Sequence, residues 1–189
     1  MSRIVVTEFV SLDGVMEDPG GAEGTKNGGW TFKFERGPRG GEFKVDELMA
    51  ADALLLGRVT YQTFAAAWPA MGGDEFGDRM NSVPKYVVSS TLADTEAIWG
   101  DTTVLRGDVV AEITKLRSGP GGDLLVEGSC QLVHTLAEHG LVDEYRLMVF
   151  PIILGSGKRL FPDADAVSEL TLTSEVAEAG TLLLTYQPV

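Results

Sequence analysis

The sequence contains almost none of the cysteines and histidines that form disulfides and zinc sites. Among its 189 residues it has one cysteine, Cys130, and two histidines, His134 and His139. A single cysteine excludes an internal disulfide and a cysteine-based zinc site. The two histidines also lack the H-E-x-x-H arrangement that places two imidazoles around zinc. We therefore expect no metal in this protein.

Positive charge and long hydrophobic runs are scarce as well. The sequence has 15 lysines and arginines against 28 aspartates and glutamates, which gives a net charge of -13. A strongly acidic protein repels the phosphates of a polynucleotide, so we expect no nucleic-acid partner. The longest apolar runs, such as residues 147–154, fall far short of the ~20 residues that a membrane-spanning helix needs. With no basic-then-apolar signal segment at the start, the sequence predicts a cytoplasmic protein without membrane contact.

Glycine is abundant and unevenly distributed. The composition, 44% hydrophobic and 23% charged, is that of a folded globular chain, and its length predicts a single domain over residues 1–189. Eight of the 23 glycines lie between Gly20 and Gly41, which predicts one long loop over residues 11–41. The aromatic residues of this loop leave two alternatives for Trp30. It binds substrate on a lid that closes over the site, or it packs into the edge of the core.

Apolar runs alternate with segments of helical period along most of the chain. We predict helices at residues 43–51 and 59–67, and two more that begin after the N-caps Asp108 and Ser129. Asp163 and Asp165 predict a turn. Strands are predicted at 4–10, 53–56, 86–88, 102–105, 123–126, 145–154, 170–177 and 181–186. The alternation predicts an α/β fold: a mixed, mostly parallel sheet with helices on both faces and a C-terminal antiparallel hairpin.

The first strand-to-helix turn that can carry chemistry is Gly57-Arg58-Val59-Thr60. In open α/β sheets ligands bind beyond the carboxyl ends of the strands, where helix N-termini present free N–H groups. A glycine turn with a guanidinium and a hydroxyl suits a phosphate monoester, such as the adenosine 2′-phosphate of NADP. The alternative is a simple glycine turn with a surface arginine.

Three further turns have the same ambiguity. Glu127-Gly128-Ser129 allows a pyrophosphate to approach the backbone, with Glu127 pointing toward a substrate, or it is an ordinary capped turn. Ser11-Leu12-Asp13-Gly14 places a carboxylate at the mouth of a cleft, or it is only an Asp-Gly turn. The glycine turn at residues 154–159 ends in a basic pair that contacts a phosphate or is merely solvated.

The order and spacing of these motifs resemble the dihydrofolate-reductase-like family. Within it, the chain looks more like the reductase domain of the bifunctional riboflavin-biosynthesis deaminase-reductase than like true dihydrofolate reductases, because Glu127 precedes Gly128. The matching segments are residues 4–6, 11–14, 55–60, 87–90, 126–129, 141–147, 151 and 154–157. The resemblance implies the three-layer fold of that family, here as a stand-alone domain without the zinc-binding deaminase half.

The resemblance also implies NADPH as the hydride donor and assigns roles to residues. Phe9 lines the nicotinamide with its backbone, and Asp13 and Glu127 face the substrate as candidate proton donors. The remaining cofactor residues it implies are Gly57, Arg58 and Thr60 at the adenosine-side phosphates, Ser89 and Ser90 at the ribose 2′-phosphate, and Gly128 and Ser129 at the pyrophosphate. The helix carboxylate of dihydrofolate reductases has three candidates here, Glu42, Asp46 and Glu47, and the sequence leaves the choice among them open.

These expectations lead to one principal function and two alternatives. The principal one is an NADPH-dependent reductase that transfers hydride to a C=N or C=O carbon of a small polar heterocycle or sugar-like substrate. It is similar to 5-amino-6-(5-phosphoribosylamino)uracil reductase of riboflavin biosynthesis. The alternatives are a dihydrofolate or pterin reductase and a non-catalytic nucleotide-binding module. Because the family tends to pair and strand 145–154 with the hairpin offers much apolar surface, we also expect a homodimer.

Overall fold

The strands assemble into one mixed sheet, as the sequence predicts. The computed structural model describes residues 1–162 and 167–189, so the turn predicted at Asp163 and Asp165 lies outside the described residues. The strands are β1 (Ile4–Ser11), β2 (Ala51–Gly57), β3 (Lys85–Val88), β4 (Thr102–Leu105), β5 (Asp123–Glu127), β6 (Glu144–Phe150), β7 (Leu170–Glu178) and β8 (Thr181–Pro188). Their order is β4-β3-β2-β5-β1-β6-β8-β7. The first six strands in this order, from β4 at the edge to β6, pair with their neighbours in parallel. Strand β8 runs antiparallel to both β6 and β7.

Helices cover both faces of the sheet and complete three layers. They are α1 (Gly37–Ala50), α2 (Arg58–Ala67), α3 (Glu75–Ser82), α4 (Val109–Ser118) and α5 (Cys130–Glu138). Apolar residues of α4 and α5 pack on one face with Ile4, Val6 and Val10, while those of α1, α2 and α3 pack on the other face with Val5. Alternate residues of β1 therefore point to opposite faces. No helix among the described residues has the length and apolar content to cross a bilayer.

Helix α1 begins earlier than predicted and shortens the loop. The glycines at 37, 40 and 41 belong to the helix, whose first turn also contains Pro38. Proline is tolerated there because its missing N–H has no partner inside the helix in any case. Gly40 is buried, and a Cβ added to it would lie 3.6 Å from the Met148 side chain of β6. The tight contact is with the residue before the helix, since the same Cβ would lie 2.9 Å from Arg36 Cβ, and glycine avoids this clash.

Two more boundaries differ from the prediction. Strand β6 ends at Phe150 rather than at residue 154, because Pro151 follows and has no backbone N–H to donate to a sheet. Helix α3 was not predicted, since it is short and mostly polar and buries only Gly77 and Met80. Its N-cap Asp74 accepts a hydrogen bond from the Gly77 N–H at 2.7 Å, which stabilises its first turn.

Candidate functional site

A cleft of about 1140 Å³ opens where the parallel strands end. Phe9 of β1, Gly57 of β2, Ser89 after β3, Arg106 after β4 and Glu127 of β5 all line it. Helices α2 and α5 begin at the same edge, so the backbone N–H groups of their first turns point toward the cleft. The sheet thus gathers residues from five strands into a single site.

Strand β1 extends beyond its neighbour β5 at this edge. Their pairing ends at Thr7 and Glu127, whereas β1 continues along β6 as far as Ser11. The edge of β1 from Glu8 onward therefore faces the cleft without a strand beside it. Backbone N–H and C=O groups on such an edge are available to a planar amide. This is the position where the family resemblance places the nicotinamide, beside Phe9.

The first turns of α2 and α5 are tied together by reciprocal hydrogen bonds. The Gly57 N–H donates to Ser129 Oγ at 2.8 Å, and the Ser129 N–H donates to Thr60 Oγ1 at 2.9 Å. Gly128 has a φ of 62°, and a Cβ there would lie 3.0 Å from the Thr60 side chain. Glycine is therefore required at Gly128 by both its conformation and its close approach to Thr60. We call these four residues, Gly57, Thr60, Gly128 and Ser129, the turn clamp.

Ser129 and Thr60 differ in detail from what the sequence predicts. Ser129 precedes α5 but makes no side-chain cap, because its φ of 60° directs Oγ to the neighbouring turn. The Thr60 hydroxyl is likewise occupied inside the protein as the acceptor for Ser129. Both residues line the cleft, and the hydrogen bonds place their backbones there. Their side chains hold the turns together.

Besides Arg36, two arginines that follow strand ends line the cleft. Arg58 lies in the first turn of α2, where its exposed side chain donates to Gln62 Oε1 at 2.9 Å. Arg106 was not singled out in the sequence, although it follows β4 as directly as Arg58 follows β2. Its side chain, 42% exposed, is held by Leu92 O at 2.6 Å and Asp94 Oδ1 at 2.8 Å. Both arginines are positioned to meet an anionic ligand.

Ser89 and Ser90 lie at the same strand-end edge but differ in exposure. Ser89 is buried, and its Oγ accepts from the Thr91 and Leu92 N–H groups at 3.1 and 2.9 Å. Ser89 therefore shapes the turn after β3. Ser90 is exposed and lines the cleft. Of the two, Ser90 has the side chain that is accessible to a ligand.

A buried ion-pair network connects α1 with the floor of the cleft. Lys44 Nζ lies 2.8 Å from Glu127 Oε1 and also pairs with Glu47. Burial alone lowers the pKa of Lys44, but the carboxylates of Glu127 and Glu47 outweigh burial and raise that pKa. Glu47 further accepts from Thr7 Oγ1 at 2.7 Å and lies 3.4 Å from Arg146 Nε. Glu127, a predicted site residue, is thus anchored by Lys44.

The same network distinguishes the three α1 carboxylates, Glu42, Asp46 and Glu47, among which the sequence leaves the choice open. Glu42 and Asp46 are exposed on α1, whereas Glu47 is only 2% exposed. Glu47 lies beneath Lys44 and does not line the cleft. It positions the ammonium group that contacts Glu127. The sequence did not single out Lys44 itself, which lies one helical turn before Glu47 on α1.

Phe9 lines the cleft with an aromatic ring that has cations over its face. The Arg36 guanidinium carbon is 4.7 Å and Lys44 Nζ is 5.2 Å from the ring centroid. The ring also packs edge-to-face on Phe150, with centroids 5.6 Å apart. These contacts fix Phe9 at the open edge of β1.

Glu8 is a cleft residue that sequence reasoning missed. It is 5% exposed, lines the cleft, and its Oε1 has no hydrogen-bond partner among the described residues. Burial, together with the nearby Glu127 charge, raises the pKa of Glu8 well above its usual range, although Lys44 and the Gly128 N–H oppose this. The sequence signal that could have identified Glu8 is the alternation of side chains along β1. Glu8 lies on the same strand face as Ile4 and Val6, so a carboxyl group stands on an otherwise apolar face.

Asp13 lies outside the cleft, which corrects its predicted catalytic placement. Its Oδ1 accepts from Ser11 Oγ at 2.6 Å, and Oδ1 and Oδ2 accept from the Leu154 and Gly155 N–H groups at 3.1 and 2.8 Å. These hydrogen bonds, led by that from Ser11, lower the pKa of Asp13 to about 2. Such a group is ionised at neutral pH and cannot serve as a proton donor. Asp13 instead joins the turn after β1 to the glycine turn at residues 154–157.

Trp30 lies in the core, which is the second of its two predicted placements and not the substrate-binding one. It is 0% exposed, does not line the cleft, and packs edge-to-face on Phe150 with centroids 5.4 Å apart. Its Nε1–H donates to the Glu17 backbone oxygen at 2.9 Å. A large aromatic side chain is stable here because its apolar body is buried and its single donor is satisfied.

Comparison with known proteins places the chain in a family. Residues 2–182 match the model of the RibD C-terminal domain. The uncharacterized protein YyaP of Bacillus subtilis (strain 168) is 31% identical over 167 residues, which cover 85% of this chain and 81% of YyaP. The uncharacterized protein YwjB of the same organism is 25% identical over 170 residues, which cover 90% of this chain and 88% of YwjB.

Solved structures share the fold at lower identity. A putative riboflavin biosynthesis protein from Shewanella sp. PV-4 superposes with a TM-score of 0.77 at 20% identity and covers 99% of both chains. RibD of Acinetobacter baumannii gives 0.65 at 16% identity, where this chain covers 58% of that one. A pyrimidine reductase-like protein from Corynebacterium diphtheriae gives 0.59 at 12% identity, with 99% of this chain and 92% of that chain covered. The fold, the cleft and the family match agree, and this chain belongs to the RibD C-terminal domain family.

Proposed function

We propose that this protein is an NADPH-dependent reductase that transfers hydride to a C=N or C=O carbon of a small polar substrate. One observation carries the proposal. A single cleft joins two clamped helix N-termini, two arginines and the open edge of β1. NADPH, when bound, supplies the hydride. The RibD family and the pyrimidine reductase-like relative support a pyrimidine of the riboflavin pathway as the substrate.

The residues present fit a dinucleotide. Close approach to a pyrophosphate needs backbone without side chains at a helix N-terminus, and Gly57 and Gly128 provide this at both turns of the clamp. Arg58 and Arg106 add charge for the 2′-phosphate, with Ser90 beside them on the cleft wall. With the phosphates held in this way, the nicotinamide would lie against Phe9 and the open edge of β1. Lys44 and Glu127 then face the substrate.

The first test compares the two nicotinamide cofactors. A charge-assisted contact to the 2′-phosphate contributes about 1.5–3 kcal/mol, so Kd for NADPH should lie at least tenfold below that for NADH. Arg58→Ala should raise Kd for NADPH and leave Kd for NADH nearly unchanged, and titration calorimetry measures both. Arg39→Ala, an exposed arginine of α1 outside the cleft, is the matched control. Equal affinity for the two cofactors would refute the assignment of Arg58, and failure to bind either would refute the proposal.

The second test separates the reductase from the two alternative functions. NADPH oxidation is followed with a panel of pyrimidine ribosides, their 5′-phosphates and pterins. We expect turnover on the pyrimidines. Turnover on dihydrofolate alone would indicate a dihydrofolate reductase. Tight NADPH binding with no turnover on any compound would indicate a nucleotide-binding module.

A further inference from the structure

Reduction of a C=N or C=O group needs a proton as well as a hydride, and the cleft offers several carboxyl groups that could hold it. Five of them line it: Glu8, Glu17, Asp18, Glu23 and Glu127. A proton donor must be neutral before the reaction and must reach the substrate. The partners of each carboxyl group therefore decide which one fits.

Two of the five already have strong partners inside the protein. Glu127 Oε1 lies 2.8 Å from the Lys44 ammonium group. Asp18 accepts hydrogen bonds from the Glu23 and Thr25 N–H groups and from the Thr25 hydroxyl, all at 2.9 Å. An ammonium ion or several N–H donors stabilise the charged form of a carboxyl group.

Glu17 and Glu23 share a second cation, Lys158. Lys158 Nζ lies 3.2 Å from Glu17 Oε1 and 3.6 Å from Glu23 Oε2. Both glutamates are also partly exposed, with side chains 21% and 31% accessible. Both carboxyl groups therefore already have a cation and solvent as partners.

Glu8 differs from the other four in position and in partners. It is 5% exposed, and its Oε1 has no hydrogen-bond partner among the described residues. It lies on β1 next to Phe9, just past the point where β5 ends. The charged and titratable groups around it are Lys44 and Glu47 of α1, Glu127 of β5 and Cys130 of α5.

We propose that Glu8 is the acid that supplies the proton accompanying hydride transfer in this cleft. The assignment rests on the proposed reductase function. It places the proton donor on the same open stretch of β1 that faces the nicotinamide. Lys44 does not neutralise Glu8 by direct pairing, because its ammonium group is held by Glu47 and Glu127.

The step balances in atoms and electrons. The substrate carbon accepts hydride, with its two electrons, from the reduced nicotinamide, and the C=N or C=O π bond opens. The nitrogen or oxygen takes the Glu8 proton to form an N–H or O–H bond. The substrate is thereby reduced, the nicotinamide is oxidised, and Glu8 remains as a carboxylate until solvent returns a proton.

Burial supports this role. Removal from water and the Glu127 charge raise the pKa of Glu8 well above its usual range. A neutral glutamic acid in the cleft is both a hydrogen-bond donor to the substrate and a reservoir for one proton. The orphaned Oε1 gains a partner when the substrate binds.

The protonation state is measured directly in the unliganded protein. Carboxyl-13C-labelled glutamate is titrated by NMR, and the Glu8 resonance is assigned by its loss in Glu8→Gln. We expect this resonance to titrate well above the usual glutamate range. Glu17→Gln is the matched control, because it removes another cleft glutamate and should leave the high-titrating resonance in place. A Glu8 carboxyl that titrates within the usual range overturns the assignment.

Turnover gives the second measurement. General acids contribute about 10²–10⁴-fold, so Glu8→Gln should lower kcat at least 100-fold while Kd for NADPH changes little. In the wild type, kcat should fall as pH rises through the pKa of Glu8, and the variant should lose this limb of the profile. A variant with wild-type kcat and pH profile also overturns the assignment. If the wild type binds no NADPH, it is the proposed function that fails.

Discussion

Glu8 and Asp13 carry the same functional group five residues apart, yet their surroundings push their pKa values in opposite directions. Asp13 receives one hydroxyl and two backbone donors, which lower its pKa to about 2. Glu8 is buried beside Glu127, which raises its pKa. Sequence reasoning treated Asp13 as a cleft acid because it follows a strand end. The leading donor, the Ser11 hydroxyl, is local, but the two backbone donors come from residues 154 and 155, which local sequence does not bring to Asp13.

The Asp13 hydrogen bonds predict a pH-dependent contribution to stability. Because the folded-state pKa is lowered from 3.8 to about 2, this contribution is present above pH 3.8 and is lost as pH falls through 2. Asp13→Asn should lower the free energy of unfolding at pH 7 by about 1–2 kcal/mol, since charged hydrogen bonds become neutral ones. Urea unfolding from pH 7 to pH 3 should show this difference shrinking. Asp46→Asn, an exposed control on α1, should show little change at any pH.

Trp30 is the other residue whose role the structure changes. Trp30→Ala should cost about 3–5 kcal/mol by leaving a cavity beside Phe150, and should lower the melting temperature by about 6–20 °C. The affinity of the folded protein for NADPH should stay the same. Phe32→Ala, at a neighbouring side chain that is 73% exposed, should leave the melting temperature nearly unchanged. If Trp30→Ala weakened NADPH binding with no loss of stability, Trp30 would belong to a lid after all.

At the scale of elements, the strands were predictable and the long loop was not. β4 matches its prediction residue for residue, and β2 differs by a few end residues, because each is a short run of β-branched or apolar residues closed by a turn. The glycines between residues 20 and 41 indicated a flexible lid. In the structure some of them begin α1, and others serve turns around Asp18, which accepts hydrogen bonds from Glu23 and Thr25. Glycine density marks unusual backbone conformations and close packing as well as motion.

The turn clamp shows why the motifs predict the two strand-to-helix turns but not the partners of their side chains. Gly57 and Gly128 lie where the sequence predicts, at strand ends before helices. The hydrogen bonds of the clamp join Ser129 to Gly57 and Thr60, about 70 positions away, and hydrophobic periodicity carries no information on such a pairing. Thr60 and Ser129 looked like ligand contacts because they are hydroxyls at helix N-termini. The structure uses both hydroxyls to hold one turn against the other.

The clamp makes a prediction for both stability and binding. Thr60→Val keeps the shape of the side chain but removes the acceptor for the Ser129 N–H, so it should cost about 1–3 kcal/mol of stability. Kd for NADPH should rise with it, because the two helix N-termini lose their fixed spacing. Thr60→Ser keeps the hydroxyl and is the control. Thermal unfolding and calorimetric titration measure the two effects. An unchanged Kd in Thr60→Val would show that the clamp does not position the cofactor turns.

At the scale of the whole molecule, the site is built from residues that the sequence separates widely. Glu8, Lys44 and Glu127 come from β1, α1 and β5, and they meet because β1 and β5 are neighbours in the sheet. The fold class was predictable from alternation alone. The floor of the cleft was not, since it depends on which strands pair and on how far each extends.

The sheet leaves an apolar face near the C-terminal hairpin that bears on the predicted homodimer. Leu172 of β7 and Leu182 of β8 are 43% and 44% exposed. Phe161, 49% exposed, packs edge-to-face on Tyr145 with ring centroids 5.5 Å apart. The register pairs Tyr145 with Tyr186 and Tyr186 with Leu172, so these side chains share one face of the hairpin. A stable interface buries about 1,200–2,000 Å² in total, and an apolar sheet face of this kind can provide its centre.

We therefore predict that the protein is a homodimer through this face. Sedimentation equilibrium at micromolar concentration should give twice the chain mass of 20.2 kDa. Leu182→Asp should give the monomer, because a charge on this face is costly to bury in the dimer. Ile98→Asp is the matched control, since Ile98 is 79% exposed and precedes β4 at the opposite edge of the sheet, so the dimer should persist. A wild-type protein that sediments at 20.2 kDa would exclude the dimer, and a dimeric Leu182→Asp variant would move the interface elsewhere.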